Sequence, residues 1–275
     1  MRRAIRFLLF FAIAVACAFQ PSARAQATKS LPVAFQYLVG RYDPKVAAYE
    51  DNALKVADLV PTASPEEVSR TLPEIQIAIS QQDETIKKFG AYILTIISFR
   101  PDSSHLLGEH VQEIAPLLNE KDAHLQQEAV LVLGGMKPIS PRSVVPPLLD
   151  FVHRTDRDPI AQVNAISVLL RLAPADVAPG LKRFASRILD SPAKEALANA
   201  IANSKTDDSE AADVLIALLD DSDEQVRFQA AQAFQRMPTK SVARARAALN
   251  ERRTSPEESQ EVKEAAMQAL TTLEN

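Results

Sequence analysis

The sequence has no tryptophan, only six glycines and a single cysteine, Cys17. Each shortage excludes something. Scarce glycine beside abundant alanine and leucine disfavours a turn-rich β fold and favours helices. The few glycines form no Gly-x-x-x-x-Gly-Lys or Gly-x-Gly-x-x-Gly loop to cradle phosphates, and no Gly-x-Ser-x-Gly nucleophile elbow. No apolar stretch reaches the roughly 20 residues of a membrane-spanning helix; the longest, Phe7 to Phe19, is about 13.

That run belongs to a leading segment of recognisable order. Arg2, Arg3 and Arg6 precede it. Ala23-Arg24-Ala25 follows it as a small-x-small cleavage site, with Ala25-Gln26-Ala27 as a second choice. Residues 1–25 therefore read as a secretory signal peptide, and the protein is expected to be exported, periplasmic or extracellular, with no transmembrane span in the mature chain. The surroundings of Arg2-Arg3 fit a twin-arginine signal poorly. Ala14-Val15-Ala16-Cys17 resembles a lipoprotein box without its leading leucine, so lipid anchoring at Cys17 is the alternative. Cleavage after Ala25 leaves no thiol, hence no disulfide, no cysteine metal ligand and no thiol nucleophile. An exported chain of this kind must hold together by burial.

Removing residues 1–25 takes away four arginines and no acid, bringing the formal net charge from −4 to −8. That balance argues against nucleic acid, whose binding rests on phosphate neutralisation by Lys and Arg. It favours a self-repelling monomer, or one member of an envelope complex.

What the chain does have is a repeat. An apolar residue, a small residue four later and another apolar residue four after that recur at Ile86/Gly90/Leu94, Leu125/Ala129/Leu133, Ala161/Ala165/Leu169, Ala193/Leu197/Ile201, Val226/Ala230/Phe234 and Val262/Ala266/Leu270. Successive starts lie 39, 36, 32, 33 and 36 residues apart. Such a period implies stacked supersecondary units. Each small residue is expected at the closest helix contact, where a short side chain lets the axes approach.

Residues 26–63 read as a linker and cap. Leu31 to Val39 is expected as a short helix ended by Gly40, and 44–60 as a longer one opened by Asp43-Pro44. The block should cover the open end of the array. From Ser64 the helices come in pairs: 64–82 with 83–99, 107–120 with 122–134, 142–153 with 158–172, 176–190 with 192–203, 210–220 with 223–237, and 240–252 with 257–273. Short polar breaks, such as Lys137-Pro138, join antiparallel neighbours. The expected fold is all-α: an α-solenoid of about six antiparallel helix pairs over 64–275, with an N-terminal helical cap.

Several first helices carry an internal proline: Pro73, Pro116, Pro147 and Pro179. Leu117-Leu118 follows Pro116, and Leu148-Leu149 follows Pro147. The stretch Asp223-Glu224-Gln225-Val226-Arg227-Phe228-Gln229-Ala230-Ala231 places an aspartate at a turn and Val-Arg at a helix entry. On these motifs the chain resembles the HEAT-repeat superfamily, in its short bacterial form also called PBS-lyase-like HEAT repeats, over about residues 64–274. Leu197 replaces the small residue in the fourth unit, and the Val-Arg pair is missing from the other five. The resemblance implies an α-solenoid whose second helices line a concave binding surface.

Chemistry is harder to find. His105 and His110 are five apart with Gly108 between them, whereas zinc-protease histidines sit four apart on one helix face. His124 and His153 read as ordinary surface histidines. HEAT-like metal hydroxylases use His-Glu dipeptides, and none occurs here. The acidic run Asp220-Asp221-Ser222-Asp223-Glu224 lacks the glycine and spaced glutamate of a calcium loop and reads as a helix end, a turn and a cap. No metal, no cofactor and no catalytic residue is expected.

The candidate site is a surface. If second helices line the concave side, the residue after each leading apolar position should project outward: Lys87, Gln126, Gln162, Lys194, Arg227 and Lys263. None is acidic. Gln229, Gln232, Gln235, Gln268, Asn164 and Asn199 lie nearby. Such a ladder offers donors to an extended acidic or polar protein partner. A more scattered basic group, Arg183, Arg187, Arg244 and Arg246, lies on first helices. The reading is an exported, non-catalytic protein-binding scaffold. The alternative is a HEAT-like lyase or a chromophore- or ligand-handling enzyme subunit. A third reading has the C-terminal pair at 257–273 packing on another subunit, because no polar cap follows Leu273.

Overall fold

The protein was analysed as a computed structural model that describes residues 30–40, 49–137 and 140–273. The signal segment, both cleavage sites, Cys17 and the cap at Asp43-Pro44 lie outside the described residues. Among the described residues all regular structure is helical. They fall into two compact units that meet between Ser103 and Ser104. Residue 64, where the repeat pattern starts the array, lies within the first.

The first unit holds α1 (Leu31–Gly40), α2 (Tyr49–Ala57), α3 (Pro65–Ser80) and α4 (Glu84–Ser98). Ser64 opens α3 with a full capping box: its hydroxyl accepts from the Glu67 N–H, and the Glu67 carboxylate accepts from the Ser64 N–H. Asp83 caps α4 by accepting from the N–H groups of Thr85 and Ile86. A Cβ on Gly90 would stand 2.9 Å from Ile79 Cγ2 and 3.2 Å from Ala78 Cβ, so the α3–α4 approach needs glycine there. α1 buries Leu31, Phe35 and Leu38, and the Phe35 ring stacks on Phe89 of α4 at 5.4 Å. Arg100, after α4, donates to the carbonyls of Val60 and Ala63 and pairs with Asp102, pinning the 3-10 turn Val60–Thr62.

The second unit is an α-solenoid of five helix pairs. The first helices are a composite segment over 104–119, then α7 (Pro141–His153), α9 (Pro174–Ala185), α11 (Ser209–Leu218) and α13 (Thr239–Thr254). Their partners are α6 (Ala123–Gly135), α8 (Pro159–Leu172), α10 (Ser191–Ser204), α12 (Glu224–Phe234) and α14 (Gln260–Thr271). In one layer α7, α9, α11 and α13 pack in succession; in the other, α6, α8, α10, α12 and α14 do. With α3–α4 in the first unit, the described residues carry six helix pairs, the number that the periodicity implies.

The expected helix at 107–120 is replaced by 3-10 turns at Ser104–His110 and Ala115–Asn119, with only Val111–Ile114 α-helical between them as α5. Pro116 has no N–H to donate and its ring crowds the preceding turn, so the last turn tightens to 3-10. Pro73, Pro147 and Pro179 are held within α3, α7 and α9.

Capping is more regular than the sequence motifs suggest. Asp122, Asp158, Asp190, Asp223 and Ser259 each accept an N–H at the start of their second helix. Behind each cap sits the apolar pattern. Ala129, Ala165, Leu197, Ala230 and Ala266 have no exposed surface. On the α6–α8 contact, a Cβ on Gly134 would meet Val168 Cγ2 at 2.6 Å.

Ala230→Arg should therefore cost about 3–5 kcal/mol, since the site has room neither for the stem nor for an unpaired charge. Chemical denaturation followed by circular dichroism checks this; a transition matching that of the parent would mean that Ala230 is not at a close contact.

Candidate interaction surface

The last four carbonyls of a helix have no intrahelical donor. In a tight hairpin, those of a first helix come to rest beside the first turn of the second. At three of the pairs the residue after the leading apolar position, Gln126, Gln162 or Arg227, reaches into that gap.

Gln126 and Gln162 were expected to project outward; instead they are buried, at 2% and 5% exposure. The Gln126 amide donates to the Glu120 carbonyl at 2.6 Å and accepts the Asp158 N–H at 2.9 Å, joining its own turn to the cap of α8. The Gln162 amide donates to the carbonyls of Phe151, Val152 and Arg154 at 2.8, 3.2 and 2.7 Å, closing the end of α7. The helical register located both residues correctly on α6 and α8, but what lies opposite is the chain's own carbonyl cluster.

Lys194 and Arg227 are half-buried at the same position. Lys194 pairs with Asp221 at 2.6 Å, in the turn before α12. Arg227 donates to the carbonyls of Asp221 and Ser222 at 2.8 and 3.1 Å. Its other edge makes two bonds, of 2.9 and 2.8 Å, to Glu258 before α14. Carbonyls and acids on the receiving side account for the lack of any acid in this row. Lys263 on α14 is half-exposed, as is Lys87 on α4 of the first unit.

A second polar row runs along the open side of the second helices. Asn164, Asn199, Gln229, Gln232 and Gln235 are half-exposed, and Gln268 is exposed. Part of it is knitted together: the Asn199 amide donates to the Glu195 carbonyl and to Gln229 Oε1 at 3.1 and 3.3 Å. Arg236 at the end of α12 reaches back to Asn203 and Asn199 on α10, both at 2.8 Å. Arg171 at the end of α8 likewise reaches back to the Gly134 carbonyl on α6 at 2.7 Å. The scattered first-helix cations are partly committed too. Asp213 on α11 takes Lys182 of α9 at 3.3 Å and Arg244 of α13 at 2.6 Å, while Arg187 donates to the Val152 and His153 carbonyls.

Two carboxyls are displaced in opposite directions. Burial pushes Glu258 up, but hydrogen bonds from Arg227 and the Ser259 N–H, with the charges of Arg227 and Arg252, outweigh it and hold the group below the ordinary glutamate range. Burial, reinforced by Asp223 and Asp190, raises Glu195. Among the described residues, no three His, Cys, Asp or Glu side chains are grouped to hold a metal ion. The acidic run at 220–224 is engaged with Lys194, Arg252 and the cap of α12. His124 Nε2 stands 3.6 Å from Glu128 on its own helix.

With this geometry in view, the comparisons with known proteins bear on the array. A family described as HEAT repeats matches residues 188–271, which hold α10 and the two pairs α11–α12 and α13–α14. These repeats belong to the HEAT-repeat superfamily. Among solved structures, the Escherichia coli protein YibA is similar at 17% identity and a TM-score of 0.54, the match covering 92% of this chain and 100% of that one. An engineered protein is similar at 19% identity and a TM-score of 0.51, over 89% of this chain and 68% of its own. At these identities the likeness concerns the fold alone. No curated protein sequence matches the chain.

Glu258 was not singled out in the sequence; it stands one residue before the cap of α14, whereas Asp221 stands two before that of α12. Arg227→Gln should leave the Glu258 carboxylate with only Arg252, at 3.6 Å, and the Ser259 N–H, and cost about 1–3 kcal/mol at neutral pH. Because the folded Glu258 value is depressed, the pair's contribution is complete above the ordinary glutamate range and disappears as pH falls through the folded value. Denaturation midpoints between pH 7 and about pH 3 should therefore converge for parent and R227Q. A constant difference across that range would remove Glu258 from the account.

Proposed function

We propose that the protein is an exported, non-catalytic scaffold that binds a protein partner along the second-helix layer of its solenoid. One observation supports this above the others: α6, α8, α10, α12 and α14 stack in a single layer whose open side carries half-exposed amides and cations at repeat spacing. Repeat arrays present extended surfaces of this kind, and a row of donors at fixed intervals suits an extended polypeptide with acidic or polar groups. Gln229, Gln232 and Lys263, with their side chains half-exposed, are the residues assigned to it; Lys194 and Arg227 contribute whatever donor capacity their internal pairs leave. Export follows from the order of parts in residues 1–25.

Changing Gln232 and Lys263 together to glutamate should weaken capture of the native partner by about tenfold or more, with helicity unchanged. Crosslinking with mass spectrometry in the native envelope, then titration of the captured protein, tests this; equal affinity would remove the polar row of the second-helix layer as the contact surface. Protein recovered from that envelope should begin at Gln26, or at Thr28 if the second cleavage site is used. An intact Met1 on N-terminal sequencing would end the export reading.

A further inference from the structure

Between the ends of α8 and α10 the second-helix layer opens into a cavity of about 570 Å³. Ser167, Arg171 and Pro174 line it from one side, and Asn203, Lys205 and Asp207 from the other. Two cross-helix ties meet here. Arg171 donates to the Gly134 carbonyl of α6 at 2.7 Å, and Arg236 of α12 reaches back to Asn203 Oδ1 at 2.8 Å.

Helix dipoles do not decide the charge of this place. A single residue separates the end of α8 from the start of α9 at Pro174, and the turn 205–208 leads from α10 into α11. At each junction the negative end of one helix stands beside the positive end of the next, so the two largely cancel. Side chains remain. Arg171 and Lys205 bring two positive charges to the lining against the one carboxylate of Asp207, and Arg236 stands behind Asn203 as a third. The adjacent Asp208 is engaged as the cap of α11.

The donors have capacity left for a guest. Arg171 uses one terminal nitrogen on Gly134, and neither Arg171 nor Lys205 makes an ion pair among the described residues. The Ser167 hydroxyl adds a neutral donor. Lys205 also holds its place against its own preference. It ends α10 with φ 52° and ψ 28°, the one non-glycine residue with positive φ among the described residues. Glycine adopts that conformation freely and a residue with a Cβ does not. What lysine brings to the strained position is an exposed ammonium at the cavity. We propose that the cavity between the ends of α8 and α10 seats the carboxylate of an aspartate or glutamate in an extended segment of the partner, held by Arg171 and Lys205. This rests on the scaffold reading and supplies one element of partner chemistry.

The test is an NMR titration of the purified, 15N-labelled protein with an end-blocked Gly-Ser-Glu-Ser-Gly peptide, glutamine or lysine replacing glutamate in the controls. The amide signals of residues 204–207 should shift and saturate with the glutamate peptide, and the glutamine peptide should bind at least about fivefold more weakly. Lys205→Asn keeps a residue that tolerates positive φ, so it should weaken glutamate binding by about five- to tenfold with the thermal midpoint unchanged or higher. Asp207→Asn should tighten that binding by about two- to fivefold, a gain that a merely structural role for the turn would not give. Either variant serves alone if the other fails to fold. Equal binding of the glutamate and glutamine peptides, preference for the lysine peptide, absence of saturation, or unchanged binding by a folded variant would overturn the proposal. Tighter binding of inorganic phosphate than of the glutamate peptide would assign the cavity to a free anion and overturn it as well. A native partner that crosslinks to the polar row yet binds K205N and D207N as it binds the parent would sink the carboxylate site and leave the scaffold reading standing. Saturable glutamate binding with no partner on the polar row would do the reverse.

Discussion

Each first helix ends on carbonyls that its own helix cannot satisfy. The donor in the first turn of the second helix resolves this. Gln162 closes the end of α7 through three carbonyls, and Arg227 closes the turn after α11 through two. The same side chains or their neighbours then engage the next cap, as Gln126 does at Asp158 and Arg227 at Glu258. One position thus fixes both the angle within a pair and the register between pairs. An unmade hydrogen bond in such a place costs about 1–3 kcal/mol.

Around these polar ties the packing is plain. The small residue four along from the leading apolar position is fully buried in each second helix that carries one, and glycine is required only where axes come closest, at Gly90 and Gly134. Aspartate caps hold the start of nearly every second helix, so each begins at a defined residue and presents its donor at a defined height. The outermost pair departs from this economy: α13 buries only Ser241, Val242, Ala245 and Leu249 and leaves Lys240, Arg246 and Arg253 exposed.

The helices were legible in the sequence because their signals are local: caps, prolines and a period of three to four apolar positions. The pairing followed from the repeat. The composite segment at 104–119 was missed because Pro116 looked like the other internal prolines, and tightening to 3-10 depends on how the segment packs on α6 and α7. The candidate surface was less legible, for a different reason. Periodicity assigns a residue an angle on its helix but not what stands opposite. Gln126 and Gln162 point away from the apolar stripe, as the register required, and meet the carbonyl end of another helix rather than solvent. Arg171 and Arg236 carried a signal that went unread: they share an offset of ten residues from the leading apolar residue, and each reaches back to the end of the preceding second helix.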